Sequence, residues 1–344
     1  MSSVRARVPQ VDYPAHLDAM WQKAIAPRTD DAPTVISTFA GGGGSSTGYM
    51  MAGYRELLAV EWDDNAVETL RLNYPHMDIY HGDIAKLTVD EVLNRTGLQP
   101  GQLDVLDGSP PCQGFSTAGK RMMDDPRNQL FREYVRLLRG LQPKVFVMEN
   151  VSGMVKGKMK LVFAEILQEL KASGYRVSAR LLNAMYFHVP QSRERMIFIG
   201  VREDLDIEPS HPKAESRPIT VRDAWGKLIV DVSKLSLTSL YSKYWSETRQ
   251  GDSLGKLKTT KKLSFNKPAY TVVKSERNGG LYHPTECRML HQSEFKRIAS
   301  FPDNYVFAGS RKDFQERIGN SVPPLFMEAI ARHIRTEILN KISG

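Results

Sequence analysis

The 344 residues carry 47 Lys and Arg against 39 Asp and Glu, a formal net charge of +8, with 41% hydrophobic residues. This balance favours a polyanionic partner, and no apolar run reaches the roughly 20 residues that span a bilayer, which argues against a membrane protein. Two cysteines, Cys112 and Cys287, make neither a disulfide framework nor a metal-ligand spacing, so a reducing, cytoplasmic compartment and no metal are expected; the first residues also lack the apolar core of a signal peptide.

Residues 1–33 are polar and punctuated by proline, and read as an N-terminal arm with one short helix near 16–26. Residues 34–39 read as a strand, stopped by Ala40 and the four glycines Gly41 to Gly44, and a helix is expected over about 46–53. A second strand over 56–62 carries Glu61 near its end, and Asp64 is a candidate N-cap for the helix that follows. Strands over 78–80, 103–107 and 144–148 alternate with helices over 88–94, 128–141 and 160–173, and strands over 175–182 and 195–201 follow. This alternation predicts an α/β fold with a mostly parallel sheet and helices on both faces. After about Arg202 the pattern breaks: residues 203–275 are rich in Pro, Ser, Thr and Lys and read as a smaller, irregular domain. Regularity returns over 323–342, where Phe326, Ile330, Ile334, Ile338 and Ile342 recur every fourth residue, as on one side of a helix.

The glycine run lets backbone amides approach a ligand at a helix N-terminus. By itself it suits a nicotinamide or flavin dinucleotide, a phosphate or S-adenosylmethionine. Glu61, at the end of the next strand, is where an acid accepts from ribose hydroxyls, and Asp83 follows the third strand where it could meet an adenine amine. Pro110-Pro111-Cys112-Gln113 places a thiol just beyond a strand, on an approach fixed by two prolines. A nucleophile and a buried inert cysteine both remain open on these residues alone. Glu149-Asn150-Val151 reaches the same sheet edge and offers an acid or base, or merely a surface glutamate. Gln191, Arg193 and Arg195 alternate, so they are expected on one face, beside an anion or polarised carbonyl or on a solvated edge. Lys256, Lys258, Lys261 and Lys262 belong to a basic stretch interleaved with Phe265 and Tyr270, suited to phosphates or to solubility. Cys287 and His188 are expected to be structural.

These motifs, together with Gly319-Asn320-Ser321-Val322-Pro323, stand in an order that resembles the DNA cytosine-C5 methyltransferases, from about Thr34 to Ile338 outside the interior of 203–268. Arg288-Met289-Leu290, with Glu294, Arg297, Phe301 and Pro302, resembles the late motif that braces the recognition domain of that family. The resemblance implies a Rossmann-like methyltransferase sheet. Its catalytic domain would be discontinuous, 34–202 with 310–344, and its target-recognition domain would be 203–309. It implies S-adenosylmethionine, leaving as S-adenosylhomocysteine, held by Phe39, Gly41, Gly42, Gly43, Gly44, Glu61 and Trp62. Asp83, Ile84, Pro111, Leu130, Asn320, Ser321 and Val322 would complete that pocket.

It further implies that Cys112, with Gln113 beside it, adds to C6 of a flipped-out cytosine. Glu149 would be protonated against N3, Arg195 would hold O2, and Arg193 would support it or contact phosphate. Ser116 and Lys120, on a loop over about 113–127, and the four lysines named above would contact phosphates of double-stranded DNA. A monomer is implied, with a cognate restriction endonuclease as candidate partner. Two departures stand out: Ser37 where the family often has an acid, and Thr38 where it has a large aliphatic. The same chemistry on structured RNA, a catalytically silent DNA-binding relative and a dinucleotide oxidoreductase are the alternative readings.

Overall fold

A computed structural model describes residues 12–111, 129–155, 159–275 and 280–342. Its centre is a seven-stranded sheet. Strands β1 (Thr34–Thr38), β2 (Arg55–Glu61), β3 (Ile79–His81), β4 (Val105–Gly108) and β5 (Val145–Val151) run parallel. β6 (Tyr175–Asn183) and β7 (Glu194–Arg202) finish the sheet, with β7 antiparallel to both neighbours, in the order β3-β2-β1-β4-β5-β7-β6. The order reverses between β1 and β4, and the crevice beyond their C-terminal ends is where open α/β sheets bind ligands. The glycine run leaves β1 there, and the two prolines leave β4.

Because strand side chains alternate, each strand feeds two cores. Ile36, Leu106, Phe146 and Phe198 pack on one face against α5 (Gln129–Leu141) and α6 (Met159–Lys171). Val35, Val105, Val147 and Ile197 pack on the other, with α1 (Tyr13–Ile25), α2 (Gly44–Met51) and α11 (Pro324–Ile334). Crossovers on the first half of the sheet use α2, α3 (Asp64–Asn73) and α4 (Val89–Thr96). α1 is capped by Asp12, and its Leu17, Met20, Trp21 and Ala24 are buried. From Tyr13 onward the expected arm is therefore part of the core. Trp21 meets Tyr305 edge-on at 5.8 Å.

Three boundaries differ from the sequence reading. The cap of α3 is Asp63, whose Oδ1 accepts from Ala66 N at 2.9 Å from an extended backbone; Asp64 is already helical. β5 runs on to Val151 because β7 pairs with it through Val151 and Arg195, so Glu149 and Asn150 lie within a strand. The C-terminal helix is interrupted: α11 widens into a π-helical stretch over Arg335–Leu339 before α12 (Asn340–Ile342). A four-residue repeat drifts by roughly 40° per step on a 3.6-residue helix. The wider turn offsets that drift and keeps Ile338 fully buried.

The irregular stretch holds α7 (Val221–Trp225), α8 (Ser239–Glu247) and a small sheet of β8 (Ser253–Leu254), β9 (Leu257–Lys262) and β10 (Leu281–Tyr282), with β9 central. It joins α9 (Gln292–Ile298) through buried polar contacts. Arg288 grips Glu294 with two parallel bonds of 2.8 Å, Trp225 Nε1 donates to Glu294 O at 3.1 Å, and His283 stacks on Trp225 at 5.3 Å. α10 (Arg311–Asn320) then leads into α11, which lies on α2 so closely that a Cβ at Gly48 would come within 2.6 Å of Met327 Cβ. Among the described residues no helix is long and apolar enough to cross a membrane.

Candidate active site

The crevice is lined first by the turn after β1. Phe39 adopts φ 57°, Ala40 N donates to Val60 O at 3.1 Å, and Gly43 N donates to Ala40 O at 3.0 Å. Gly43 caps α2 at φ 79°, and a Cβ there would meet Tyr305 Oη and Leu70. Position 43 is therefore restricted both by backbone and by space. A Cβ at Gly44 would collide with the Val322 carbonyl, so the far end of the chain sits directly on the glycine run.

Glu61 is 7% exposed and gathers three backbone donors. Its Oε2 accepts from Gly41 N at 2.7 Å, and its Oε1 from Trp62 N at 2.8 Å and Asp63 N at 2.9 Å. A carboxylate offers about four acceptor positions, which leaves capacity for a hydroxyl. Trp62 beside it is 76% exposed, a flat apolar surface open to solvent. Asp83 is exposed and caps the short turn Ile84–Lys86 through Ala85 N at 3.0 Å, while Ile84 is buried beneath it. Pro111 is exposed, Leu130 packs against the α5 core, Asn320 is exposed, and Ser321 and Val322 are buried.

The second wall lies at the ends of β5 and β7. Arg195 Nε stands 2.6 Å from Glu149 Oε1, with the two side chains 14% and 12% exposed. Asn150 Nδ2 donates to Pro110 O at 3.2 Å, tying the proline approach of β4 to β5. That bracing role was not read from the sequence, although Asn150 stands inside one of its motifs. Cys112, Gln113, Ser116 and Lys120 lie outside the described residues.

Gln191 and Arg193 precede β7, which begins at Glu194, and both side chains reach Val272. Gln191 accepts from Val272 N at 3.0 Å and donates to Ile298 O at 3.3 Å. Arg193 is 2% exposed, with its two terminal nitrogens on Val272 O at 2.9 Å and Gly319 O at 3.0 Å. Burial pushes its guanidinium down to about 9, with the charge of Arg195 adding and Glu149 opposing. At this burial, with both terminal nitrogens on carbonyls, it is not placed to contact a phosphate.

The lysines divide as well. Lys256 and Lys258 are exposed, and Lys261 Nζ donates to Ser253 Oγ at 2.6 Å. Lys262 falls on the inward side of β9, 7% exposed, donating to Trp245 O at 3.0 Å and Thr248 O at 2.9 Å above the Trp245 ring. It is not placed to meet a phosphate. Cys287, expected to be a packing cysteine, is exposed instead, in the turn before Arg288. His188, at φ 57°, does fill a packing place: its ring lies 5.6 Å from that of His16, and its N–H donates to Ser216 Oγ at 3.0 Å.

Two acids behind the crevice escaped the sequence reading. Asp107 is 3% exposed on β4, in register with Ser37 of β1, and accepts from Tyr49 Oη at 3.3 Å. Glu56, on β2, has both carboxyl oxygens buried. Burial pushes Glu56 up to about 8, with the Ser37 hydroxyl opposing and the Asp107 charge adding. Burial pushes Asp107 up to about 7, with the Tyr49 and Ser45 hydroxyls opposing and Glu149 adding.

Below about pH 4 folded and unfolded chains both hold these protons, and the stabilising contribution is full. As pH rises the unfolded chain releases them first, so stability falls through about pH 7 for Asp107 and about pH 8 for Glu56. Glu56→Gln is expected to flatten this loss in melting curves taken from about pH 5 to about pH 8. Parallel pH slopes for the two proteins would disprove it.

An open hollow at the opposite end of the strands, lined by Arg139, Gln142, Arg202 and Asp204, is remote from this chemistry. Its arginines are already engaged by Glu169, Asp204 and backbone carbonyls.

The family model of C-5 cytosine-specific DNA methylase matches residues 33–250 and 211–336. The chain is 35% identical over 328 residues to the Type II methyltransferase M1.HphI of Haemophilus parahaemolyticus, covering 88% of this chain and 86% of that protein. It is 32% identical over 355 residues to the Type II methyltransferase M.PspPI of a Psychrobacter species, covering 94% and 83%. A solved structure described as a DNA modification methyltransferase from an E. coli prophage superposes with a TM-score of 0.75 at 25% identity, over 90% of this chain and 100% of that one. Spodoptera frugiperda DNMT2 shares the fold, with a TM-score of 0.68 at 19% identity, over 91% and 100%.

Proposed function

The chain belongs to the C-5 cytosine-specific DNA methylase family, and on that footing we propose that it methylates C5 of a flipped-out cytosine within a specific duplex DNA sequence. The methyl donor is S-adenosylmethionine, and the reaction passes through a covalent bond between Cys112 and C6. The observation that carries this reading is the Glu149–Arg195 pair, 2.6 Å apart at the crevice and next to the strand end from which the Cys112 segment departs. A carboxyl group and a guanidinium side by side match the edge of cytosine, where N3 and the exocyclic amine adjoin the O2 carbonyl.

The residues present fit the cofactor. Glu61 has acceptor capacity for ribose hydroxyls, Trp62 offers an exposed ring for a purine, and the glycine run admits close backbone approach. When bound, S-adenosylmethionine supplies an electrophilic methyl group. The chain must supply the rest. The Cys112 thiolate adds to C6, which makes C5 electron-rich enough to attack; a base then removes the C5 proton, the C5–C6 double bond re-forms and Cys112 leaves as thiolate. Glu149, protonated, donates to N3 and prevents charge from building up on the ring, while Arg195 holds O2. Arg193 and Asn150 keep these groups in place through their bonds to Gly319, Val272 and Pro110. Extruding the base costs a few kcal/mol, which phosphate contacts must offset. Lys256, Lys258, Ser116 and Lys120 are assigned to those contacts.

Residues 34–202 with 310–344 are assigned to catalysis and 203–309 to reading the target sequence. A cognate endonuclease acting on the same site is the partner suggested by the Type II relatives, and a monomer suffices.

Duplex DNA carrying 5-fluorocytosine, incubated with the protein and S-adenosylmethionine, should yield a complex that survives denaturing electrophoresis. Bisulfite sequencing of DNA from cells expressing the chain should reveal one methylated motif. No trapped complex and no methylated motif, with label passing instead to transfer RNA, would overturn the assignment.

A further inference from the structure

Around the mouth of the cofactor cleft the contacts form a closed ring, and one member, Arg317 of α10, has no role in the reaction as derived above. Its Nη2 lies 3.2 Å from Asp63 Oδ2 and 3.8 Å from Glu316 Oε1. Its carbonyl accepts from Ser321 N at 3.1 Å and Ser321 Oγ at 2.7 Å. A Cβ built at Gly42 would stand 3.2 Å from Arg317 Cβ and 3.3 Å from Ser321 Oγ. Asp63 is tied back to the glycines, because its N–H donates to the Glu61 carboxylate that also accepts from Gly41 N. The path Gly41–Glu61–Asp63–Arg317–Ser321–Gly42 thus links two distant parts of the chain without a break.

We propose that the Arg317–Asp63 ion pair is a clasp that sets the affinity for S-adenosylmethionine. It is a positioning device: it fixes the turn that carries Glu61 and Trp62 relative to the glycine run. It rests on the cofactor assignment made above. The Arg317 side chain is 11% exposed and that of Asp63 34%, so the pair is shielded enough to hold geometry and open enough to release it. Without it, the cofactor must order the two walls itself, and that ordering is lost from its binding free energy. Methyl transfer depends on the other wall, at Glu149 and Arg195, so the rate at saturating cofactor should not follow.

Arg317→Met keeps an aliphatic stem against Gly42 and removes the charge. Asp63→Asn removes the other charge while retaining a side chain that caps α3 well. Calorimetry with S-adenosylmethionine should give a Kd about tenfold weaker for each variant. The double variant should be no weaker than the worse single one, as expected for two halves of one interaction. Arg317→Lys should recover part of the affinity, and kcat at saturating cofactor should stay within about twofold of the parent.

Wild-type Kd in both single variants would overturn the clasp, as would additive losses in the double variant or a fall in kcat with unchanged Kd. Should Arg317→Met fold poorly, Asp63→Asn and Arg317→Lys carry the same comparison. A parent protein that binds no S-adenosylmethionine would instead refute the cofactor assignment.

Discussion

Replacing Cys112 with serine is expected to slow methyl transfer at least about 1,000-fold while leaving duplex and cofactor binding within about threefold. A thiol with an ordinary pKa near 8.5 already holds some thiolate at neutral pH, and a positive neighbour increases it. A serine hydroxyl ionises far less readily, and no residue is assigned to take its proton. The strand ends beside the site keep their own tie, Asn150 Nδ2 to Pro110 O at 3.2 Å. Single-turnover transfer of a tritiated methyl group would measure the rate, and gel shift would measure binding. A serine protein that still trapped 5-fluorocytosine DNA and transferred methyl within tenfold of the parent rate would remove Cys112 from the mechanism.

Glu294→Ala is expected to destabilise the fold by up to about 3–5 kcal/mol, because it removes the buried partner of Arg288 and leaves that charge only the exposed Glu286 carboxylate and a carbonyl. Arg288 is 7% exposed and Glu294 3%, and two parallel bonds of 2.8 Å join them. Glu294 also accepts from His291 N at 2.7 Å, closing the capping box of α9. Glu294→Gln can still serve that box and still accept one bond from Arg288, so it should cost markedly less. Denaturant midpoints and melting temperatures of the two variants would rank them. A Glu294→Ala protein within about 1 kcal/mol of the parent would show that the brace contributes little.

The sheet was legible because its strands are short apolar runs between glycines and helices, and a parallel sheet buried on both faces demands just that pattern. The place of Glu61 at the end of β2 was legible, whereas the three backbone donors it gathers were not. What escaped depends on partners remote in sequence. Arg193 is positioned by carbonyls 79 and 126 residues further on, and nothing near it predicts either. Lys262 belongs to a lysine-rich run, yet the alternation of β9 turns it inward onto Trp245, where its charge is stabilised by carbonyls and a ring. Glu56 looks like an ordinary polar strand residue. Only the register that sets Asp107 beside Ser37 and the packing of α2 over both reveal a seam of buried acids.

The contact between Gly44 and the Val322 carbonyl also sets a schedule. The ribosome delivers the glycine run early and its covering segment late, and at ordinary elongation rates the interval is on the order of tens of seconds. For that time β1, β2 and α2 can exist with one wall of the crevice missing and the α2 surface that receives Met327 bare. The glycine turn therefore precedes the segment that covers it. The crevice can close over the glycine run only once residues 321–322 have been made.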